Sequence, residues 1–223
     1  MRQEPPVSKI GRFVWLLLPI LSGCATIHTV GTPAVRTIAV PEKFPPSVVV
    51  LIEQSTVDAL TRKRPIIIGW GRPHTFRLGA MLEQASTQEF SQVFQNVKVV
   101  RSVGEAGEVP RIEPTAELIR FFYWPKWLLW YHLSAQVRVH TRFILNDRVL
   151  WEATTIGFEG REPRGWARKL LWNNRLDEMV GGTVADAMAS ALETTATRMA
   201  NDAALRAQLR EARSPSNAAG LAE

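Results

Sequence analysis

The chain has a single cysteine among its 223 residues, Cys24, so no internal disulfide is available and the core must hold by packing alone. Histidine is scarce too: His28, His74, His132 and His140 are scattered along the chain. Only His132 and His140 share a strand parity, and roughly 26 Å of strand separates them, too far to ligate one metal. No H-x-x-x-H, C-x-x-C or G-x-S-x-G pattern occurs, and Gly69-Trp70-Gly71 lacks the third glycine of a dinucleotide fingerprint. Acid pairs such as Glu152 and Glu159 suit a solvated strand edge better than general acid–base work. These absences set the expectation of a non-enzyme with no catalytic residues, no metal and no cofactor; a periplasmic enzyme is the distant third reading. Long apolar runs are also missing: beyond Cys24 none reaches the roughly 20 residues that a spanning helix requires.

One short apolar run does stand out. Arg2, Lys9 and Arg12 precede Phe13-Val14-Trp15-Leu16-Leu17-Leu18-Pro19-Ile20-Leu21, and Ser22-Gly23-Cys24 closes it. Charge, grease and small residues thus follow in secretory order. The tetrapeptide Leu21-Ser22-Gly23-Cys24 resembles the lipobox of bacterial lipoprotein precursors. That resemblance implies removal of residues 1–23 and a diacylglycerol, with further palmitate-type acylation, on the new N-terminal Cys24. An ordinary signal peptide, an uncleaved anchor or a buried structural cysteine would use the run differently; the only thiol falling directly after Leu-Ser-Gly favours lipidation. Two or more acyl chains at ~0.8 kcal/mol per buried methylene make release from a membrane negligible. In the resembling family an aspartate after the cysteine favours the inner membrane, so Ala25 points by resemblance to the outer membrane, periplasmic side.

Without residues 1–23, which carry three basic and one acidic side chain, the net charge drops from +6 to +4. That mild excess, in an envelope location, makes nucleic acid an unsuitable partner. The 200 residues left suffice for one well-cored domain.

Residues 24–46 contain Gly31, Pro33, Pro41, Pro45 and Pro46 without sustained periodicity. They read as an extended tether with a short strand at Arg36–Val40, whose reach of roughly 65 Å lets the domain stand off the bilayer. The single domain is expected over 47–212 and a frayed tail over 213–223. Ser47–Ile52 and Pro65–Trp70 are β-branched runs without alternation, as in strands covered on both faces or in a central hairpin. A helix is expected from an N-cap at Thr75, with Leu78, Leu82, Ser86, Phe90, Val93 and Phe94 on one stripe, closing at Asn96 before a strand at Val97–Val100. Residues 102–110 form a loop. From Ile112 the period is two; Leu133, Ala135, Val137, Val139, Phe143 and Leu145 alternate with polar residues, Asn146-Asp147 supplies a hairpin turn, and Arg148–Phe158 returns. After Gly181-Gly182, Thr183 and Asp186 resemble a capping box opening an alanine-rich helix, interrupted at Asn201-Asp202 and running to about Arg210.

This order, ββαβ, meander, helix, predicts an α+β fold: a mixed, largely antiparallel sheet with two helices packed on one face. In outline it is similar to small periplasmic envelope-assembly lipoproteins such as the lipopolysaccharide-assembly lipoprotein and the auxiliary lipoproteins of envelope transport machines.

The meander brings residues 123–130 and 160–173 to one end. Six of the eight tryptophans lie between 121 and 172. The candidate partner- or lipid-binding residues are Trp124, Lys126, Trp127, Trp130, Arg161, Arg164, Trp166, Arg168, Lys169 and Trp172, since tryptophan flanked by cations suits a membrane interface, an anionic lipid or glycolipid, or a protein partner. The competing reading has the rings extend the strands and cap the core. Two functions follow as expectations: a non-enzymatic accessory or scaffold of a cell-envelope assembly or transport complex with an envelope protein partner, or a lipid- or glycolipid-binding module.

Overall fold

The computed structural model describes residues 27–29, 31–34, 36–38, 40, 43–64, 73–126, 130–161 and 175–211. The fold is α+β. Its strands are β1 (Ile27–Thr29), β2 (Phe44–Leu51), β3 (Thr61–Lys63), β4 (His74–Phe76), β5 (Phe94–Val100), β6 (Arg111–Lys126), β7 (Trp130–Leu145) and β8 (Arg148–Arg161). Its helices are α1 (Gln54–Asp58), α2 (Leu78–Val93), α3 (Val103–Ala106), α4 (Arg175–Asn201) and α5 (Ala203–Glu211). A five-stranded sheet has the order β5-β2-β6-β7-β8, and a three-stranded sheet the order β1-β4-β3.

β6, β7 and β8 form the antiparallel meander that the alternation predicts. Leu133, Ala135, Val137, Val139 and Phe143 are buried on one face of β7, while Arg138 and Arg142 on the other are exposed. Asn146 and Asp147 both take positive φ, 50° and 57°, as a two-residue type I′ hairpin turn requires. β2 lies parallel to both β5 and β6, with α2 as the crossover between β2 and β5. Its unbroken apolar run has the cause expected: Val48 and Val50 enter the main core under the helices, whereas Val49 and Leu51 pack with Val100 and Ala106 on the opposite side.

Helices α2 and α4 cover one face of the large sheet. From Val180 to Ala189 every residue of α4 is buried, because β8, α2 and the N-terminal segment surround it. Small side chains permit this depth. A Cβ on Gly157 of β8 would stand 1.8 Å from the Ala187 carbonyl oxygen, and Thr155 Oγ1 lies 2.9 Å from the Ala191 carbonyl and 2.7 Å from Thr195 Oγ1.

Several boundaries differ from expectation. α4 begins at Arg175 and runs through Gly181-Gly182, so Thr183 and Asp186 cap nothing. Thr183 Oγ1 donates to the Met179 carbonyl one turn back, and Asp186 accepts from Ala34 and Arg161. Close approach at this point is made by Gly31, where a Cβ would meet the Gly181 carbonyl at 2.0 Å, and a Cβ on Gly182 would lie 3.3 Å from the Arg161 guanidinium. Thr75 is the buried centre of β4, and α2 starts at Leu78 after Arg77, which makes no side-chain cap. A three-residue strand carries no legible period, which hid β3 and β4. The stripe on α2 is buried as expected, but β5 starts directly at Phe94. The 102–110 loop contains the one-turn α3, and Asp202 caps α5 through Leu205 N–H at 2.9 Å. The expected strand at Pro65–Trp70, the signal segment and the tail at 213–223 lie outside the described residues.

The N-terminal segment is extended, but from Gly31 to Ile38 it is docked on the domain instead of standing free. The Gln92 side chain treats it as a strand partner, accepting from Ile38 N–H at 2.7 Å and donating to the Arg36 carbonyl at 2.6 Å. Ala34 N–H donates to Asp186 at 2.8 Å, and the Arg36 guanidinium reaches Glu159 at 2.9 Å and Glu193 at 3.4 Å. Pro33 and Ile38 are buried. Among the described residues of 36–40 no ladder hydrogen bonds support a strand; the Gln92 side-chain amide takes that role. Beneath the segment Glu89 is fully buried, with Oε2 accepting from Gln92 and Oε1 without a partner among the described residues. Burial pushes its carboxyl up to about 7; Glu193 adds to this, while the Arg36 backbone N–H and guanidinium oppose it.

Two predictions follow from this packing. Gly157→Ala should cost about 1–3 kcal/mol or more of stability, since its new methyl meets backbone. Gly104→Ala, where nothing lies within 4 Å, should stay within about 0.5 kcal/mol. Urea unfolding of both variants checks the pair, and equal midpoints would refute the close β8–α4 contact. The second concerns Glu89. Its folded-state pKa exceeds the unfolded one, so between about 4.5 and about 7 the folded state holds a proton that the unfolded state has released. Stability from this group is therefore full at acid pH and falls as pH rises through that window, by up to about 3 kcal/mol. Glu89→Gln should match the parent near pH 4.5 and exceed it near pH 8. Parallel denaturation curves across pH measure this, and a constant difference between the two proteins would contradict it.

Candidate functional site

β8 is described to Arg161, opposite Leu133, and β6 and β7 are paired further through Trp124–His132, Pro125–Tyr131 and Lys126–Trp130, about 10 Å past that last described residue of β8. The chain leaving β8 at Arg161 departs from this same end, and α4 returns from it, because α4 runs antiparallel to β8 from Asp186 near Arg161 to Thr195 near Thr155.

Of the ten candidate docking residues, Trp124, Lys126 and Trp130 occupy register positions at this end of the hairpin. Arg161 ends β8 and is half-buried; its guanidinium donates to Asp186, so it serves to join β8 to α4. Trp127, Arg164, Trp166, Arg168, Lys169, Trp172 and the lipidation candidate Cys24 lie outside the described residues. Trp151, the remaining tryptophan of the meander, packs partly buried against the core.

The small sheet sits at this end as well. His74 of β4 is buried, and its ring lies 5.4 Å from that of Phe121, three residues before Trp124 on β6; Phe76 lies 5.9 Å from Phe121. Burial lowers the His74 pKa, and Nδ1 has no hydrogen-bond partner among the described residues. The imidazole is thus a neutral aromatic spacer between the two sheets. β1 lies beside β4 in parallel, with Ile27 opposite His74, and β3 lies antiparallel on the other side, with Lys63 opposite His74.

The face of the large sheet away from the helices is open and unequal along its length. Toward the Asn146-Asp147 turn it carries paired charges: Glu113 with Arg111 and Arg142, Glu117 with Arg138, and Glu152 with His140. The exposed Glu117–Arg138 pair stabilises little, whereas the Arg111 and Glu113 side chains are only 15% and 16% exposed. Toward the hairpin it turns aromatic and cationic. Arg120 lies 5.6 Å from the centroid of Phe122 and donates to Gln136, and Gln136 is opposite Phe158. Phe158 and Ile156 are 61% and 52% exposed, high for such side chains. This row was missed from sequence, although a signal existed: Ile156 and Phe158 have the parity of β8's wet face. The docking role of Gln92, Asp186 and Arg36 carried no sequence signal, since each pairs across more than 50 residues. Among the described residues no group of three or more His, Cys, Asp or Glu could hold a metal ion, and no helix is long and apolar enough to cross a membrane.

No family model and no curated protein matches the sequence. Among solved structures, one similar to this chain is a Xanthomonas campestris protein of the DUF330 family, with a TM-score of 0.40 and 11% identity over 85% of this chain and 100% of that one. A Helicobacter pylori protein provisionally described as a neuraminyllactose-binding hemagglutinin homolog has a TM-score of 0.40 and 9% identity over 81% of this chain and 97% of its own. A Caulobacter crescentus protein provisionally described as a lipoprotein has a TM-score of 0.36 and 8% identity over 60% and 87%. Likeness at this level assigns neither family nor function.

Proposed function

We propose that this chain is a lipoprotein anchored through Cys24 to the periplasmic side of the outer membrane, acting as a non-enzymatic accessory or scaffold in a cell-envelope assembly or transport complex. The observation that carries the anchor is Leu21-Ser22-Gly23-Cys24: the only thiol of the chain, directly after two small residues, at the end of a short apolar run behind a basic segment. The scaffold role is supported by the open sheet face with its aromatic row, Phe122 and Phe158. A lipid- or glycolipid-binding module is the second reading, favoured by the concentration of Trp, Arg and Lys at one end of the meander. A scaffold extracted in mild detergent brings an envelope protein with it in fixed proportion; a lipid binder purified alone carries bound lipid.

Two measurements test the anchor and its address. In cells fed radioactive fatty acid, Cys24→Ala should abolish acyl labelling and leave an unprocessed or soluble protein; label persisting in the variant would end the lipoprotein reading. Ala25→Asp should shift the protein toward the inner membrane in density-gradient fractions of the envelope, and an unchanged distribution would remove the basis for assigning the outer membrane.

A further inference from the structure

The docked N-terminal segment determines where an anchor at Cys24 must enter the membrane relative to the domain. Traced backwards, the chain meets Glu193 at Arg36, Asp186 at Ala34 and Gly181 at Gly31. These are successive stations along α4 toward its start, about 18 Å apart in all at 1.5 Å per residue. The start of α4 is at the hairpin end, where Asp186 meets Arg161. β1 continues in the small sheet, and Ile27 pairs with His74, whose ring touches Phe121 at the base of the hairpin. Cys24 is three residues further back, so its Cα lies at most about 11 Å from that of Ile27.

The same edge of the small sheet is basic. β3 runs antiparallel to β4, so Lys63 lies beside His74 and Arg64 leaves the sheet on the side where the chain enters β1. Two strand spacings, about 10 Å, separate Lys63 from Ile27. Arg62 and Arg64 are exposed, and among the described residues none of the three cations has an ion-pair partner. Toward the opposite end Arg111, Arg138 and Arg142 are paired with carboxylates, while Arg148 beside the turn is exposed without an ion-pair partner among the described residues.

We propose that the hairpin end of the domain lies on the phospholipid bilayer, with Arg62, Lys63 and Arg64 against anionic headgroups and the register positions of Trp124 and Trp130 on the β6–β7 hairpin toward the interface. This rests on the anchor at Cys24. The potential of an anionic leaflet decays over about 8–10 Å. A 20-residue free tether would let the domain drift far outside that layer, whereas a three-residue link holds the cations within or beside it. Tryptophan prefers the same depth, with its ring among headgroups and acyl ends.

The mature chain beginning at Cys24 tests this, because its sole thiol can be coupled to a maleimide-bearing lipid in vesicles. The chemical link replaces cellular acylation, so the result is independent of the labelling experiment on Cys24→Ala. Arginine-directed dicarbonyl labelling, mapped by mass spectrometry, reads the orientation. On phosphatidylcholine vesicles containing phosphatidylglycerol, Arg62 and Arg64 should react about tenfold more slowly than in the uncoupled protein. Arg148, beside the Asn146-Asp147 turn at the other end, should be unchanged. Bromine-labelled acyl chains should quench tryptophan fluorescence, less so in Trp124→Phe/Trp130→Phe. Arg62→Glu/Arg64→Glu should leave the melting temperature unaltered and weaken association of uncoupled protein with these vesicles by about fivefold or more per charge. Protection of Arg148 instead, unchanged reactivity of Arg62 and Arg64, equal protection on vesicles of phosphatidylcholine alone, or quenching unaffected by the double Trp variant would each overturn the proposal. Protection that arises only after a detergent-solubilised envelope protein is added would assign this end to a protein partner and overturn it equally.

Discussion

The contact on which the rest of the structure depends is that between β8 and α4. Gly157 admits the Ala187 carbonyl to a distance at which any side chain would collide, and Thr155 ties to Ala191 and Thr195, one and two turns further along α4. With its helix so close to the sheet, α4 can present small residues on nearly every side and still be buried from Val180 to Ala189. Its direction is then set, antiparallel to β8. That direction in turn dictates the path of the N-terminal segment, whose polar contacts fall on Asp186 and Glu193 of the same helix. A helix further from the sheet would offer no groove for that segment.

Polar groups inside this arrangement serve registry more than stability. Asp186 is buried yet satisfied twice, by Ala34 N–H and Arg161. Gln92 satisfies the backbone of Arg36 and Ile38, which would otherwise lie buried without a ladder. Glu89 is less well served, with one oxygen unmatched among the described residues and a pKa raised chiefly by burial. Burial and Glu193 favour its neutral carboxyl, while the Arg36 backbone N–H and guanidinium of the docked segment favour the ionised one.

What could be read from the sequence was what repeats locally. The meander announced itself through the alternation from Leu133 to Phe143, and its turn through Asn146-Asp147, so the α+β class and the placing of two loops at one end were legible. The unalternating Val48–Leu51 was legible because the packing on its two faces differs only in partner, not in polarity. Gly181-Gly182 misled because glycine pairs break exposed helices at about 1 kcal/mol each, whereas here they lie in a buried stretch of α4, with the Arg161 guanidinium against Gly182. β1, β3 and β4 were invisible because three residues cannot display a period. The docked segment was invisible for another reason: proline-rich sequence without periodicity describes a free tether and a docked one alike, and only the distant Gln92, Asp186 and Glu193 distinguish them.

That distinction bears on how an accessory at the envelope works. A long free tether makes a lipoprotein a probe that searches the space beyond its membrane. A chain docked from Gly31 to Ile38 and paired again at Ile27–Thr29 has almost no slack left before Cys24. With the hairpin end on the bilayer, the long strands stand up from it and the open sheet face looks sideways along the membrane. The row of Arg120, Phe122 and Phe158 then lies only about 10 Å above Arg161, at the foot of that face. A partner that embraces it must itself be membrane-bound or reach down to the surface. Two exposed apolar side chains there would be a liability on a freely diffusing protein; on the footing proposed above they would face a neighbour in the same membrane.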